Sequence, residues 1–342
     1  MHIKLIVPGL LSPLHTWVRD YDWEPMADTL ARMLTGMRKH RIEKEYAIQT
    51  VARLLGWNGI SDDNSFPAAG WRALGHGFNL PPDTDWICAD PVHLRLDINN
   101  AVLWGGDRMN IHMDEARVLI DALESMFSDE GWHFHIGSTN EWYLQTPLGK
   151  APDGPMLPEV IGKSFRGIPG KNIKDPKWAT RLTEIQMMLN EHPINKNREG
   201  QGELAINSLW YWGRSNGDVN LRNPSHARII GENHILNGLA KAAGITCEPE
   251  DPDELMKTSQ DDVLIFLDDL SELAAYDDLP AWEKALTKME TNWFSYLEKL
   301  LDSGEVASID LLSDGFQWHI SKKGILRRLQ TPKKLAQLLS NH

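Results

Sequence analysis

Short apolar runs alternate with stretches of helical spacing near both ends of the chain. The run "HIKLIVPGLL" leads into Pro8-Gly9, and "DDVLIFLDD" and "ASIDLLSDG" are similar runs in the last third. Uninterrupted apolar runs of this length are typical of strands that are buried on both faces of a parallel sheet. Apolar residues at helical spacing predict helices over residues 26–36, 46–55, 178–191, 233–243 and 281–301.

The middle third of the chain has a different pattern, in which strands follow one another closely. "DWICADPVHLRLDINNAVLW" predicts two strands around the turn residues Asn99-Asn100, and "WHFHIG" and "EWYLQT" predict two more. Asp114 is placed to cap a helix over residues 115–127. Residues 151–174 are rich in Pro and Gly and predict a long connecting segment. This region is therefore predicted to be a separate α+β module.

The alternation of strands and helices at both ends predicts an α/β fold with a mostly parallel sheet covered by helices. Crossover helices have one handedness, so both ends of the chain can contribute to one sheet around an inserted module. We expect a core domain of residues 1–66 and 204–342 and an inserted, smaller α+β domain of residues 67–203.

Composition and charge exclude several classes of partner. The chain has 342 residues and a net charge of -13 at pH 7, which repels nucleic-acid phosphates and anionic lipids. No window approaches the roughly 18 to 20 apolar residues of a membrane span. The two cysteines, Cys88 and Cys247, lie far apart, so no disulfide framework and no cysteine zinc site is predicted. We expect a cytoplasmic protein without a nucleic-acid or membrane partner, and basic clusters at 38–44 and 322–334 that are solvated.

Several longer motifs occur in a specific order along the chain. They are "AAGWRALGHGFNLPPDTDWICADPVHLRLD", "EARVLIDALES", "HPINKNREGQGELAINSLWYWG" and "GENHILNGLAKAAGI". Together they resemble the archaeal-type cofactor-independent phosphoglycerate mutases. Through "ADPVHLR" and "LNEHPIN…INSLWYWG" the chain resembles more closely the bacterial RpfE-type regulatory proteins, which are phosphoglycerate mutase-like. The resemblance covers most of residues 45–300 and implies an alkaline-phosphatase-like α/β core, interrupted by a smaller substrate-gripping domain.

In the active mutases, two divalent metals held by Asp and His support transfer of a phosphoryl group through a Ser nucleophile. The positions of this chain that match those ligands and the nucleophile are Pro8, Ala47, Val51, Phe266 and Ser271. The resemblance therefore implies a degenerate site with no catalytic residue, no metal and no cofactor. The alternative is a mutase or phosphatase that uses Mn²⁺ or Zn²⁺ through relocated ligands.

The segment "ADPVHLRLD" contains a candidate anion site. His93 and Arg95 share one face if the segment is extended, with Asp90 close by. A guanidinium offers two parallel donors, which suit a carboxylate or a phosphate. The alternative, given equal weight, is a structural ion pair between Arg95 and Asp90 or Asp97.

The stretch "HPINKNREGQGELAINSLWYWGRSNG" predicts a polar, bendable loop that leads into a strand. The resemblance implies that its loop Arg and its Asn-x-x-Trp-x-Trp-Gly strand lie near bound phosphoglycerate, where the chain returns to the core. Arg198 could bind an anion there, and Asn207 could pair with open backbone groups. For Trp210 and Trp212 the favoured alternative is ordinary packing between the two domains.

These patterns favour a non-catalytic, regulatory protein that binds a phosphorylated or carboxylated metabolite between its domains. A protein partner is a further alternative, with Trp23, Trp71 and Trp142 as candidates for an exposed surface. His133 and His135 lie on one strand face, but no third ligand accompanies them, so a zinc or copper site is not favoured.

Overall fold

The computed structural model describes residues 1–21, 23–59, 66–96, 100–147, 152–165, 176–217, 219, 221, 226, 228–257, 262–322, 331 and 333–340. The chain divides into two compact units. The first contains Met1–Asn58, Leu221–Leu236 and Ala243–His342, and the second contains Gly59–Asn220 and Asn237–Ala242.

Strands and helices alternate along the described residues. The strands are β1 (His2–Ile6), β2 (Lys39–Arg41), β3 (Thr84–Leu96), β4 (Ala101–Trp104), β5 (His133–Ile136), β6 (Trp142–Pro147), β7 (Ser164–Phe165), β8 (Ser208–Ser215), β9 (Arg228–Ile230), β10 (Thr246–Glu248), β11 (Val263–Phe266), β12 (Ser308–Ser313) and β13 (Phe316–Ser321). The helices are α1 (Leu14–Tyr21), α2 (Asp28–Leu34), α3 (Ala47–Leu54), α4 (Ala68–Gly75), α5 (Met113–Phe127), α6 (Leu157–Val160), α7 (Pro176–Glu191), α8 (Pro193–Gly200), α9 (His234–Ala243), α10 (Ser271–Ala275), α11 (Leu279–Met289), α12 (Ser295–Ser303) and α13 (Leu335–Ser340). Short 3-10 turns cover Gly106–Met109, Ser128–Glu130 and Pro252–Met256.

The first unit is built on a seven-stranded sheet in the order β10-β9-β11-β1-β12-β13-β2. The first five strands of that order are parallel, and β13 is antiparallel to both β12 and β2. Central β1 buries Ile3, Leu5 and Ile6, and Leu5 pairs with Ile265 on one side and Leu311 on the other. The fold-class prediction, α/β with a mostly parallel sheet and helices, is confirmed.

The predicted helix over residues 281–301 has a π-helical turn, Glu290–Phe294, between α11 and α12. The turn places the Glu290 carboxylate against α2, where it accepts hydrogen bonds from the amides of Thr29 at 3.0 Å and Leu30 at 2.8 Å. The first amides of a helix have no partner within the helix, so Glu290 caps α2 from a distance. Local insertions of this kind are invisible to a periodicity argument.

The second unit contains a six-stranded sheet in which β5, β6, β3, β4 and β7 follow one another and β8 also pairs with β3. The pairs are antiparallel, as expected for strands that follow one another closely. β3 is the centre of this sheet because its long strand pairs with β6 and β8 along its first part and with β4 at its end.

Helix α4 lies very close to its neighbours in the second unit. A side chain added at Gly238 of α9 would lie 1.6 Å from the Trp71 carbonyl oxygen. Gly213 of β8 has a φ of +68°, and a side chain there would lie 2.8 Å from Ala68. Only glycine permits backbone approach at these distances.

Two local predictions are wrong. The α5 helix begins one residue before Asp114 and is capped by His112, whose amide donates to Glu115 at 2.8 Å in a capping box. The predicted loop after His192 is largely helix α8, for which the His192 ring is the N-cap and Pro193 the first residue. Asn99 of the predicted turn and residues 151 and 166–174 of the predicted connection lie outside the described ranges, while residues 152–165 contain α6 and β7.

Strand β8 belongs to the second sheet, where Trp212 pairs with Cys88. The structure therefore returns to the first unit after β8, at Leu221, whereas the sequence placed that return at residue 204. The division into domains of residues 1–66 with 204–342 and 67–203 stays a prediction. Across the part of the chain that the structure describes, every helix is too short or too polar to cross a membrane.

Candidate functional site

The carboxyl edge of the parallel sheet is the first place to examine, because ligands of open α/β sheets bind there. The loop that leaves β1 is held by Asp314, whose carboxylate accepts from the amides of Gly9, Leu11 and Ser12 at 3.2, 2.8 and 2.9 Å. The Trp282 indole donates to the Gly9 carbonyl at 2.8 Å from the other side. The loop is therefore closed by the chain's own groups.

Gly9 also lies directly against the segment that follows β11. A side chain added at Gly9 would lie 2.7 Å from the Leu270 carbonyl oxygen and 2.8 Å from the Ser271 Cα. The two loops therefore approach each other so closely at Gly9 that a side chain larger than hydrogen would not fit there.

Three indoles pack at right angles beside this loop. Trp17 and Trp282 have ring centroids 5.3 Å apart, and Trp23 lies 6.1 Å from Trp17 and 6.0 Å from Trp282. The Trp17 indole donates to Asp277, and the Trp23 indole donates to Glu283 at 3.1 Å. Edge-to-face packing of this kind stabilises a fixed arrangement, so the triad supports the closed loop.

The positions that the sequence resemblance assigns to the mutase ligands carry side chains that are poor ligands for divalent metals. Val51 is fully buried and Phe266 is 4% exposed, and both are apolar. Ala47 begins α3, and Pro8 lies in the closed loop. Ser271 offers one hydroxyl, a poor substitute for a carboxylate. The residues at these positions do not fit two metal ions.

Acidic side chains gather at the ends of β9, β10 and β11. The Asn233 amide donates to Asp268 at 3.0 Å. Burial, followed by the charges of Asp269, Asp268 and Glu232, raises the pKa of Glu250 from 4.5 to about 8. Lys288 lies 3.6 Å from Asp269 and opposes this shift. Repulsion among these carboxylates is relieved when Glu250 takes up a proton.

Asp90, a predicted ligand-binding residue, forms all its hydrogen bonds in the structure with groups of the second unit. Its two carboxylate oxygens accept from the Arg72 guanidinium at 2.9 and 2.6 Å, and the Trp212 indole donates to it at 2.7 Å. The Trp142 amide lies 3.2 Å away and also donates. Asp90 and Arg72 are 1% and 3% exposed, so this is a buried, geometrically matched ion pair.

The ion pair explains several neighbouring groups. The Arg72 guanidinium lies over the Tyr143 and Trp212 rings, 4.8 and 5.3 Å from their centroids. Burial raises the pKa of the nearby Cys88 thiol well above its ordinary value, so Cys88 stays protonated and is a poor nucleophile. The predicted alternative, a pair between Arg95 and Asp90, is wrong because Arg72 occupies Asp90; Asp97 lies outside the described residues.

Arg198, expected to bind an anion, is 1% exposed and bound to the protein itself. Its guanidinium donates to the Leu204 carbonyl at 2.8 Å, to Glu115 at 2.7 Å and to the Met109 carbonyl. Glu203 lies 3.4 Å away. The expected anion-binding role of Arg198 does not agree with this environment, because its donors are directed at carbonyls and carboxylates of the chain.

Two asparagines fasten the same segment to the sheet. Asn207 accepts from the Leu94 amide at 2.7 Å and donates to the Leu94 carbonyl at 3.0 Å, as the sequence predicted for open backbone groups. Asn195 donates to the Leu189 and Ile206 carbonyls at 2.6 and 2.7 Å and accepts from the Ile206 amide at 2.7 Å. The amide group of each side chain thus pairs with the N–H and the C=O of one backbone residue, as a neighbouring strand would.

The two tryptophans of β8 are held by polar contacts at their ring nitrogens. Trp210 donates to the Pro155 carbonyl at 2.9 Å, and Trp212 donates to Asp90. Both are buried within the second unit, 7% and 3% exposed. The structure thus gives both rings a packing role there.

His93 and Arg95 remain the predicted residues with groups directed outward. His93 is half-buried and its Nδ1 pairs with the Ala205 carbonyl at 2.8 Å, so Nε2 is the acceptor of the ring. Arg95 is exposed two residues further along β3, on the same face.

Other predicted features have structural explanations. His133 pairs with Glu124 at 2.8 Å, while His135 stacks on Trp86 with ring centroids 4.9 Å apart and pairs with Gln145. Burial lowers the pKa of His135, so its imidazole is neutral at pH 7. Trp71 and Trp142 are 1% and 0% exposed and so do not contribute to an exposed surface, whereas Trp23 is half-buried in the indole triad.

Sequence reasoning missed Arg72, Asn195 and Asp314. Arg72 stands in an otherwise apolar helix, "AAGWRALG", and a lone cation among buried positions is a usable signal for a buried ion pair. Asp314-Gly315 is a hairpin turn signal, but no local pattern indicates that its carboxylate reaches the β1 loop.

No family model matches the chain. The chain is 25% identical over 134 residues to a 2,3-bisphosphoglycerate-independent phosphoglycerate mutase of Methanosarcina mazei, covering 37% of this chain and 34% of that protein. It is 27% identical over 109 residues to a probable 2,3-bisphosphoglycerate-independent phosphoglycerate mutase of Geobacter sulfurreducens, covering 30% of this chain and 26% of that protein. The chain thus matches a third or less of the length of these curated relatives, and the sequence similarity is weak.

The fold has a clear counterpart among solved structures. The PH0037 protein of Pyrococcus horikoshii superposes with a TM-score of 0.54 at 14% sequence identity, covering 99% of this chain and 91% of that chain. At this identity the likeness concerns the fold alone. The chain is therefore a two-unit α/β protein with weak sequence similarity to cofactor-independent phosphoglycerate mutases.

Proposed function

We propose that this chain is a non-catalytic, regulatory protein related to the cofactor-independent phosphoglycerate mutases. The observation that supports this most directly is the closed β1 loop, which Asp314 and Trp282 hold against Leu270. Phosphoryl transfer needs charge stabilisation at the migrating group, usually from metals, together with a nucleophile. Pro8, Ala47, Val51 and Phe266 supply neither.

Metabolite binding through His93 and Arg95 is the part of the predicted site that supports a regulatory role. The exposed guanidinium of Arg95 suits the anionic group of a phosphorylated or carboxylated small molecule, and the Nε2 atom of His93, on the same face of β3, can accept from a hydroxyl of that molecule. Arg198, Asn207, Trp210, Trp212 and Asp90 then act as the framework of β3 and β8. A cytoplasmic location, a protein partner and the RpfE-type resemblance stay predictions.

Catalysis is tested by turnover of 3-phosphoglycerate and of p-nitrophenyl phosphate with Mn²⁺, Mg²⁺ or Zn²⁺, beside elemental analysis of the purified protein. We expect no turnover above a protein-free control, and no stoichiometric metal. The opposite result is activity that co-purifies with the protein in the last chromatography step and falls at least about tenfold in Asp268→Asn. A tenfold loss of rate corresponds to about 1.4 kcal/mol of lost transition-state stabilisation. That result would establish the alternative, a metal-dependent mutase or phosphatase.

Ligand binding is tested separately by calorimetry with 3-phosphoglycerate and related carboxylates. Arg95→Ala should weaken binding at least about tenfold, because a charge-assisted hydrogen bond is worth about 1.5–3 kcal/mol. Arg117→Ala removes another exposed arginine, on α5, and should leave binding unchanged. If both variants weaken binding equally, the ligand is attracted only by the overall positive charge of the surface, and the proposed His93–Arg95 site is wrong.

A further inference from the structure

The carboxylate of Asp314 is surrounded by donors in the manner of a bound anion. Gly9 donates to Oδ1 at 3.2 Å, and Leu11 and Ser12 donate to Oδ2 at 2.8 and 2.9 Å. The Ser313 hydroxyl lies 3.0 Å from Oδ2 as a fourth donor. Neighbouring backbone amides that converge on one point form anion-binding concavities in many proteins.

The β1 loop is held in shape by contacts that do not involve Asp314. The Trp282 indole fixes the Gly9 carbonyl at 2.8 Å, and the Leu14 amide donates to the Leu11 carbonyl at 3.2 Å. The Val7 amide donates to the Leu312 carbonyl at 3.0 Å, and the Leu10 and Leu11 side chains are buried. The three amides should therefore keep their positions when the carboxylate is removed.

Solvent can reach this arrangement from one side. Ser12 is exposed and Asp314 is half-exposed, although Gly9 is buried. Asp314 lies at the tip of the β12–β13 hairpin with a φ of +47°, followed by Gly315 at +86°. A carboxylate on such a tip can be exchanged without changing the pairing of the strands below it.

We propose that the amides of Gly9, Leu11 and Ser12 form a binding site for a small oxyanion, and that Asp314 is its resident, intramolecular ligand. A free carboxylate or phosphate ion competes for the same donors. The site lies wholly within the first unit, and the proposal holds whether or not the chain is catalytic. As a consequence, the occupant of the β1 loop amides depends on the position of the hairpin tip that carries Asp314.

Asp314→Gly tests the proposal, because glycine adopts a φ of +47° without strain and the variant removes only the carboxylate. Melting temperatures are compared in sodium chloride, sodium formate and sodium phosphate at equal ionic strength. We expect the variant to melt below the native protein in chloride. Formate or phosphate should then raise its melting temperature by about 1 °C more than that of the native protein, at a concentration about three times the dissociation constant. The formate and phosphate arms distinguish a site for carboxylates from one for phosphates.

The native protein is the matched control, since Asp314 already fills the site, and its smaller response measures the general stabilisation that phosphate and formate give to any folded protein relative to chloride. Asp314→Asn, which retains one acceptor oxygen, should respond less than Asp314→Gly. An Asp314→Gly variant that responds no more than the native protein overturns the proposal. If that variant is insoluble, its refolding yield in formate or phosphate relative to chloride gives the same readout, with equal yields as the contradicting outcome.

Discussion

At the scale of single residues, buried charges in this chain are matched by partners rather than directed at a ligand. Arg72 and Arg198 are both almost fully buried, and each is surrounded by acceptors from the chain. Removing one partner from such a group leaves an uncompensated charge in a medium that solvates it poorly. Single substitutions at these positions should therefore affect stability strongly.

The Arg72–Asp90 pair can be tested by a double-mutant cycle. Asp90→Asn keeps the shape but not the charge, and we expect a loss of about 3 kcal/mol in the free energy of unfolding measured with urea. Asp90→Asn combined with Arg72→Met should lose less than the sum of the two single changes. Asp114→Asn, beside exposed Arg117, is the surface control and should change stability by less than about 0.5 kcal/mol. Strict additivity would argue against a coupled buried pair.

Glu250 should make stability depend on pH. Its pKa is about 8 in the folded protein, mainly through burial, against an ordinary value of 4.5. The folded state therefore holds a proton that the unfolded state has released, so stability decreases as pH rises from about 4.5 to 8 and then levels off. After allowance for partial exposure we expect about 1 to 2 kcal/mol over this range.

Urea unfolding of Glu250→Gln from pH 5 to 9 measures that contribution. The variant cannot ionise at this position, so its curve should be flatter than that of the native protein. Asp253→Asn changes an exposed carboxylate on the same loop and should keep the native slope. A Glu250→Gln variant with the native slope would place the titrating group elsewhere.

At the scale of secondary-structure elements, the sequence predicts what local patterns determine. β1, α3, α7 and β11 follow from runs and spacing, and each lies close to its expected bounds. The π turn at Glu290–Phe294 could not be predicted from such patterns, because it depends on a contact with the distant helix α2. Helix α8 could not be predicted either, because its sequence is rich in the polar residues that are typical of a loop. The partners of Arg198, Glu115 and the Met109 carbonyl, are also far away in sequence, so no local pattern indicates them.

Close packing of α4 predicts a large effect at one glycine. In Gly238→Ala the new methyl group would lie 1.6 Å from a backbone oxygen, so the helices must separate. We expect a loss of about 3 kcal/mol in the free energy of unfolding, at the upper end of typical overpacking. Gly200→Ala, at the end of α8 with nothing within 4 Å, should be neutral or stabilising by up to about 1 kcal/mol. Similar values for the two variants would contradict the close approach.

At the scale of the whole molecule, two units of different construction are encoded in one chain. The parallel sheet of the first unit is buried on both faces and was predicted from apolar runs, whereas the antiparallel sheet of the second was predicted from closely spaced strands. The pairing of β8 with β3 could not be predicted, since β8 looks from its sequence like the start of a core segment.

Metal should be unnecessary for the stability of the whole chain. A ligand that binds the folded state raises the melting temperature, so an intact dinuclear centre would make the protein sensitive to chelation. We expect the melting temperature to change by less than about 1 °C between excess EDTA and added Mn²⁺ or Zn²⁺. A rise of several degrees in the melting temperature with either metal would show a metal site elsewhere in the chain, built from other residues than those at the positions matched to the mutase ligands.

The indole triad of Trp17, Trp23 and Trp282 has an optical consequence. Aromatic chromophores fixed at right angles and 5.3 to 6.1 Å apart couple their electronic transitions, which gives near-ultraviolet circular dichroism bands that a free indole lacks. Because Trp282 is bonded to the Gly9 carbonyl, those bands are a built-in spectroscopic probe of the loop after β1. Binding of an anion to the amides of that loop could therefore be followed by light alone, without any attached label.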